Sequence, residues 1–134
     1  MAPVTERFQA QVPANTILQT SDQVVCESHV AGVVSAVAYT PEDAITGANS
    51  PASRTFTLVN KGQAGAGTTT VATLAMVSGV DGVAFDEKAI TLSSTAADLV
   101  VAKGDILVWV STAVGGTGLV DPGGRVEVEI SRTA

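Results

Sequence analysis

The sequence predicts an all-β fold, an antiparallel β-sandwich or jelly-roll-like single domain with an extended N-terminal arm, and three observations carry that expectation. Hydrophobic residues make up 46% of the chain but aromatics only 4%, so the core is filled by Val, Ala, Leu and Ile. Small and β-branched side chains of this kind favour strands over helices. Thirteen glycines, many of them clustered, supply the turns a many-stranded chain requires. Short apolar alternations recur at intervals of about ten to twenty residues with turn signals between them, which is the spacing of a sandwich or jelly roll. A chain of 134 residues is one domain by length. It buries roughly two thirds of its unfolded surface, enough for a core without disulfide staples.

Residues 1–15 form the first unit, an arm or added strand, ahead of a sandwich domain over 16–134. Phe8, Ala10 and Val12 alternate with Arg7, Gln9 and Gln11. With one apolar face and a proline at each end, this segment suits pairing with another chain as well as with its own. The apolar block at 24–39 exceeds one ordinary strand, so Gly32 marks a bulge or bend between two strand segments. Residues 40–53 are polar and punctuated by Gly and Pro, an exposed loop. In 54–60, Phe56 and Leu58 alternate with Thr55, Thr57 and Val59, a strand with one core face and one face lined mainly by hydroxyls. A glycine-rich link at 61–70 leads to a strand at 71–78 and a turn at 79–82. Residues 83–86 are a short strand or loop, Ile90 and Leu92 share a face of the next strand, and 96–99 is one helical turn.

The rest of the chain is organised around residues 100–110. After a Lys-Gly-Asp corner, Ile106, Val108 and Val110 lie on one face and Leu107 and Trp109 on the other, and all five are apolar. Such a strand is buried on both sides. Each face then needs a covering layer, from this chain or from a neighbouring subunit. Trp109 belongs to the core or to a subunit interface rather than to a ligand platform. A glycine-rich connection over 114–124 follows. The last strand sets Val126, Val128 and Ile130 inward and Arg125, Glu127, Glu129 and Ser131 toward water, an antiparallel signature with one wet side.

A formal net charge of −6 repels phosphate backbones and gives no handhold for nucleic acid or an anionic membrane. Cys26 stands alone, so no internal disulfide forms, and it reads as a small buried hydrophobe rather than a reactive thiol. Glu6 and Arg7 interrupt any apolar stretch near the start. No signal-peptide core or membrane span is expected there, and synthesis in the cytoplasm is.

Residues 62–69 have the glycine spacing of a phosphate-binding loop, but the lysine after the second glycine is missing and no helix pattern follows, so a flexible hairpin loop is expected. His29 is the single histidine, three residues from Cys26. An odd separation on a continuous strand points the two side chains to opposite faces, which disfavours a Cys-His dyad. One His and one Cys cannot build a metal cage of several such ligands within one chain. Asp81, Asp86, Glu87, Asp98, Asp105 and Asp121 are scattered among turns and read as solvated charge, with Asp105 a turn residue before a strand. No catalysis, cofactor or metal is expected.

The stretches His29 to Pro41, Ala48-Asn49, Ser53-Arg54-Thr55, Leu58 to Gly62, Lys103-Gly104-Asp105, Gly116 to Leu119 and Asp121 to Gly124 together resemble small β-rich structural proteins of tailed bacteriophages. These are the capsid decoration or minor capsid proteins. The resemblance covers roughly residues 24–132 and rests on glycine turns and β alternation. It implies a non-enzymatic virion protein on the outer capsid face, often a homotrimer, that contacts the major capsid protein and stabilises the mature head by bridging capsomers. The acidic surface suits the outside of a shell, and two-sided apolar strands suit a domain that buries more surface on oligomerising. Phe8, Ala10, Val12 and Trp109 are the candidate capsid or subunit interface residues. The alternative is a head-fibre or adhesin module whose glycine-rich loops, 61–70 and 113–124, bind host-surface glycans. A hydrolase built on His29 or an acid pair is the third reading.

Overall fold

The computed structural model of the chain describes residues 3–117 and 119–133. They form nine strands: β1 (Pro3–Val12), β2 (Ser21–Glu27), β3 (Gly32–Pro41), β4 (Ser53–Asn60), β5 (Thr69–Ala75), β6 (Lys88–Ala89), β7 (Val100–Val101), β8 (Ile106–Val114) and β9 (Gly124–Thr133). Two antiparallel sheets face each other. Sheet one runs β1-β9-β3, with the short β6 and β7 both on the far side of β3, and sheet two runs β2-β8-β4-β5. The chain is a β-sandwich, as its alternations predict.

The alternation in β9 sets the core of sheet one: Val126, Val128 and Ile130 are fully buried. Opposite them across the β1 and β3 ladders sit Ala10, Phe8, Tyr39 and Val37. Sheet two contributes Phe56 and Leu58 from β4 and Leu107 and Trp109 from β8. The two sheets meet at an aromatic cluster. Tyr39 lies 4.8 Å from Phe56 and 5.4 Å from Trp109, and the last two rings stack at 5.4 Å and 17°.

The N-terminal segment corrects one expectation. It is not an extended arm: β1 pairs with β9 in unbroken antiparallel register from Pro3↔Thr133 to Val12↔Gly124. The apolar face of β1 is satisfied within its own chain, with Val12 buried and Phe8 and Ala10 packed against the core. The 24–39 block divides as two strands, but they belong to different sheets, and the break falls at residues 28–31, before Gly32. Gly32 instead opens β3 where a Cβ would meet the Ser131 carbonyl at 2.6 Å, so a residue without a side chain is required. The bulges lie at Val24/Cys26 in β2 and Val34/Ala36 in β3.

Residues 88–93 cross from one sheet to the other. Lys88 and Ala89 pair with β3, the Ile90 N–H donates to Val37, and then the Thr91 carbonyl and Ser93 N–H bond β5. This crossing closes one side of the sandwich. The expected helical turn is present as a 3-10 turn at Ala96–Leu99.

Candidate interaction surfaces

Of the four residues singled out for an interface, Trp109 and Val12 lie inside the monomer's own core, and Phe8 and Ala10 pack against it. Their side chains hold the two sheets together. What β1 leaves free is its second backbone edge, because it is the outer strand of sheet one, and an open edge is a template for pairing. Cys26 is buried while His29 is exposed beside Phe8, with ring centroids 6.0 Å apart. The two do not form a dyad. Burial, and second the charge of Glu27, push the Cys26 thiol up to about 11, so it is protonated and inert at neutral pH. Among the described residues no group of three or more His, Cys, Asp or Glu is arranged to hold a metal ion.

The expectation that β8 is buried on both faces holds only for the inner one. Leu107, Trp109 and Ser111 point into the sandwich and are buried, whereas on the outer face Ile106 and Val110 are half-exposed. Val108 is covered by its cross-strand neighbours, Val24 on β2 and Val59 on β4. The next row across the strands is Asp22, Val110, Thr57 and Thr73, and beyond it Thr112, Thr55 and Ala75. From β8 to β5 the strands therefore set isoleucine, valine, threonine and alanine on this outer face without a charge, and Lys61, whose N–H bonds the Ile106 carbonyl, lies just past the end of β4. Asp22 and Glu27 on β2 mark its acidic border. Val24, 58% exposed, stands at that border.

The outer face of sheet one is the opposite in character. Arg7 reaches Glu129 at 3.2 Å and Glu127 at 4.0 Å, Gln9 donates to Glu127 at 2.8 Å, and the Ser35 hydroxyl donates to Glu129 at 2.9 Å. Arg7, Glu127 and Glu129 are spent on each other, each exposed pair contributing about 0–1 kcal/mol. One side of the molecule is thus a laced polar ladder, and the other is an uncharged plate of aliphatic and threonine side chains.

Two aspartates expected to be solvated are buried, and they organise the two ends of the sandwich. Asp121 accepts from the Tyr39 hydroxyl (2.6 Å), the Ser111 hydroxyl (2.7 Å), the Asn15 amide (3.0 Å) and the Gly123 N–H (3.0 Å). Ser111 in turn accepts from Arg54 at 3.0 Å, and the wholly buried guanidinium spends its other N–H groups on the carbonyls of Leu119, Gln19 and Thr16. Burial pulls the Arg54 pKa down and the Asp121 charge partly restores it. Burial, then the Asp121 charge, raises that of Tyr39. Asp105 anchors the other end, accepting from Asn60 at 3.0 Å and from the Ala102 N–H at 2.9 Å. Burial of the Asp121 carboxylate is tolerated because four donors replace the water it loses, two on each oxygen.

No sequence pattern marked these groups. Arg54 and Asn60 share the core face of β4 with Phe56 and Leu58, but in a strand of alternating residues they look like its wet ends. The Asp121-Pro-Gly-Gly turn was visible, and the Asx-type bond from Gly123 to Asp121 is its usual device. What was invisible is that Tyr39, Ser111 and Asn15 converge there.

The two glycine-rich loops do not meet. The pairing Ser53↔Val114 puts residues 113–117 and 119–123 at one end of the β4/β8 ladder, and Asn60↔Leu107 puts residues 61–68 at the other. The chain matches no protein-family model, no curated protein and no solved structure.

Proposed function

We propose that this chain is a capsid decoration protein of a tailed bacteriophage, a non-catalytic sandwich that sits on the outer shell in many copies and bridges capsomers. The observation that carries the reading is the uncharged plate of Val24, Val59, Ile106, Val108, Val110 and the threonines on a chain of net charge −6. An acidic protein repels its own copies and most acidic surfaces. A face free of charge is where it can lie against protein at the least electrostatic cost, and exposed apolar patches of this kind mark interaction sites. The major capsid protein is the partner, with a homotrimer as the form that binds. The open edge of β1 offers a second contact by strand addition. The reading also rests on the resemblance in turns and alternation described above.

The adhesin alternative through residues 61–70 and 113–124 loses its simplest form, because loops at opposite ends of the β4/β8 ladder cannot line one site. The test of the decoration reading is co-sedimentation with capsids lacking this protein. Wild type is expected to bind saturably in many copies per particle. A variant carrying Val24→Glu and Thr73→Glu, both at exposed positions, is expected to fold and lose most of that binding. Absence of saturable binding by the wild type would overturn the reading, and equal binding by the variant would move the contact off sheet two.

A further inference from the structure

Phe85 is 79% exposed and has φ of 61°, a left-handed backbone that a bulky side chain rarely adopts. Such a conformation persists only where its surroundings impose it, and it concentrates at ligand-binding positions. Here the surroundings do impose it. The Phe85 N–H donates to the Pro41 carbonyl at 2.8 Å and the Asp86 N–H to Val83 at 3.1 Å, and Ile45 and Gly82 exchange both backbone hydrogen bonds at 3.0 and 2.8 Å. The ring is therefore carried outward on fixed backbone. A residue kept for packing would be turned in.

Below the ring, Gln11, Thr40, Pro41, Glu42 and Arg125 complete a pocket of about 460 Å³, a size within the range of small-molecule sites. Its floor is built by register: Gln11 on β1, Arg125 on β9 and Thr40 on β3 form one row across three strands. Gly124, next to Arg125, lets β9 approach β3 closely, since a Cβ there would meet the Thr40 carbonyl at 2.1 Å. The Glu42 N–H bonds the Gly123 carbonyl at 2.9 Å. The Gln11 amide then donates to the Glu42 carboxylate at 2.7 Å, across the intervening β9. Among the described residues Arg125 has no carboxylate within ion-pair distance.

We propose that this pocket binds a sugar, with a pyranose ring stacked on Phe85 and its hydroxyls engaging Glu42, Gln11, Arg125 and Thr40. Every sugar hydroxyl donates and accepts at once, so it is recognised where donors and acceptors stand side by side. The Glu42 carboxylate accepts, the Arg125 guanidinium donates, and the Gln11 amide and Thr40 hydroxyl do both. The C–H face of a pyranose carries partial positive charge and rests on the negative face of an aromatic ring. The backbone of β9 beneath the pocket is laddered on both sides by β1 and β3, so a ligand seated there is held by the side chains rather than by strand pairing with β9. This site shares no residue with the plate on sheet two and goes beyond the capsid reading.

The experiment is an amide NMR titration of the whole protein with the methyl glycosides of glucose, galactose, mannose and N-acetylglucosamine, with capsid co-sedimentation run in parallel. At least one glycoside is expected to shift the amides of residues 40, 42, 83–86 and 125 saturably. Phe85→Ala should weaken that binding about ten-fold or more, while Phe85→Tyr retains it, and both should sediment with capsids as wild type does. Phe85→Gly, which releases the backbone strain, should melt higher than wild type and bind the glycoside no better than Phe85→Ala. No saturable shift with any of the four glycosides, or undiminished binding by Phe85→Ala, would overturn the proposal. Loss of capsid binding by Phe85→Ala without a glycoside response would also overturn it, assigning the ring to a protein contact instead.

Discussion

Trp109 is the largest of the fully buried side chains, stacked on Phe56 of its own sheet and tilted against Tyr39 of the other. Trp109→Ala empties that site and should cost about 3 to 5 kcal/mol in urea melts. A loss below about 1 kcal/mol would mean that the neighbours collapse into the space or that the ring is not packed as described. Cys26 gives a pH dependence at the same scale. Its thiol is raised from 9.0 to about 11 by burial, with Glu27 second. The folded state holds this proton more tightly than the unfolded state does, so the stabilisation is complete below about pH 9 and lost as the pH rises through about 11. The loss amounts to roughly 2 to 3 kcal/mol. Tyr39, also raised, acts with the same sign at still higher pH. Stability measured from pH 8 to 11 should therefore fall more steeply for wild type than for Cys26→Ala, and parallel curves would show that the thiol is already solvated in the native state. Single residues were also where the sequence was least legible. Arg54, Asn60, Asp105 and Asp121 are polar letters in turn or strand-end positions, and only the tertiary convergence of their donors and acceptors makes burial tolerable. Phe85 sits in a Val-Ala-Phe run that reads as a short strand or loop, because a positive φ leaves no trace in composition.

Among the elements, β9 and β8 were legible because their patterns are local: Val126/Val128/Ile130 against Glu127/Glu129 needs no knowledge of the partner. The strand character of β1 was legible for the same reason. Its partner was not, since alternation fixes which face is apolar and says nothing about which edge pairs with it. The register with β9 settles that question and changes what truncation means. Deleting residues 1–12 removes Phe8 and Val12 from the core and uncovers β9, at a cost of about 4 kcal/mol or more. Such a variant should be unfolded or sharply destabilised by circular dichroism melts, and a cooperative melt at the wild-type temperature would show that β1 is dispensable to the fold. Likewise the two-faced apolar pattern of β8 by itself implies full burial on both sides. The same five residues mean instead an inner face that packs and an outer face that is left for something else.

For the whole molecule, the contrast between its two broad faces decides how it should associate. Contacts made through the uncharged plate depend on apolar burial, whereas contacts through the laced face of sheet one would be screened by salt. Capsid binding through the plate should thus change less than about three-fold between roughly 0.05 and 0.5 M salt, where surface ion pairs are progressively screened. A fall of about ten-fold or more in a co-sedimentation titration over that range would point to charged groups at the contact. The all-β class, the sandwich and the acidic character were available from composition and spacing. The inequality of the two faces was not, because the outward residues of β2, β4, β5 and β8 come from four separate stretches and only the register sets them in rows.

The pairing of β1 with β9 also bears on how the chain reaches its native state. Sheet one cannot close while the protein is still being synthesised past β1, because the partner strand, residues 124–133, is made more than about a hundred residues later. Until then Phe8 and Val12 stay uncovered on an open strand that can add to any nascent edge, including that of another copy. Folding of this sheet is therefore completed only after those residues leave the ribosome, with a slow, high-contact-order closing step in which β1 waits for β9.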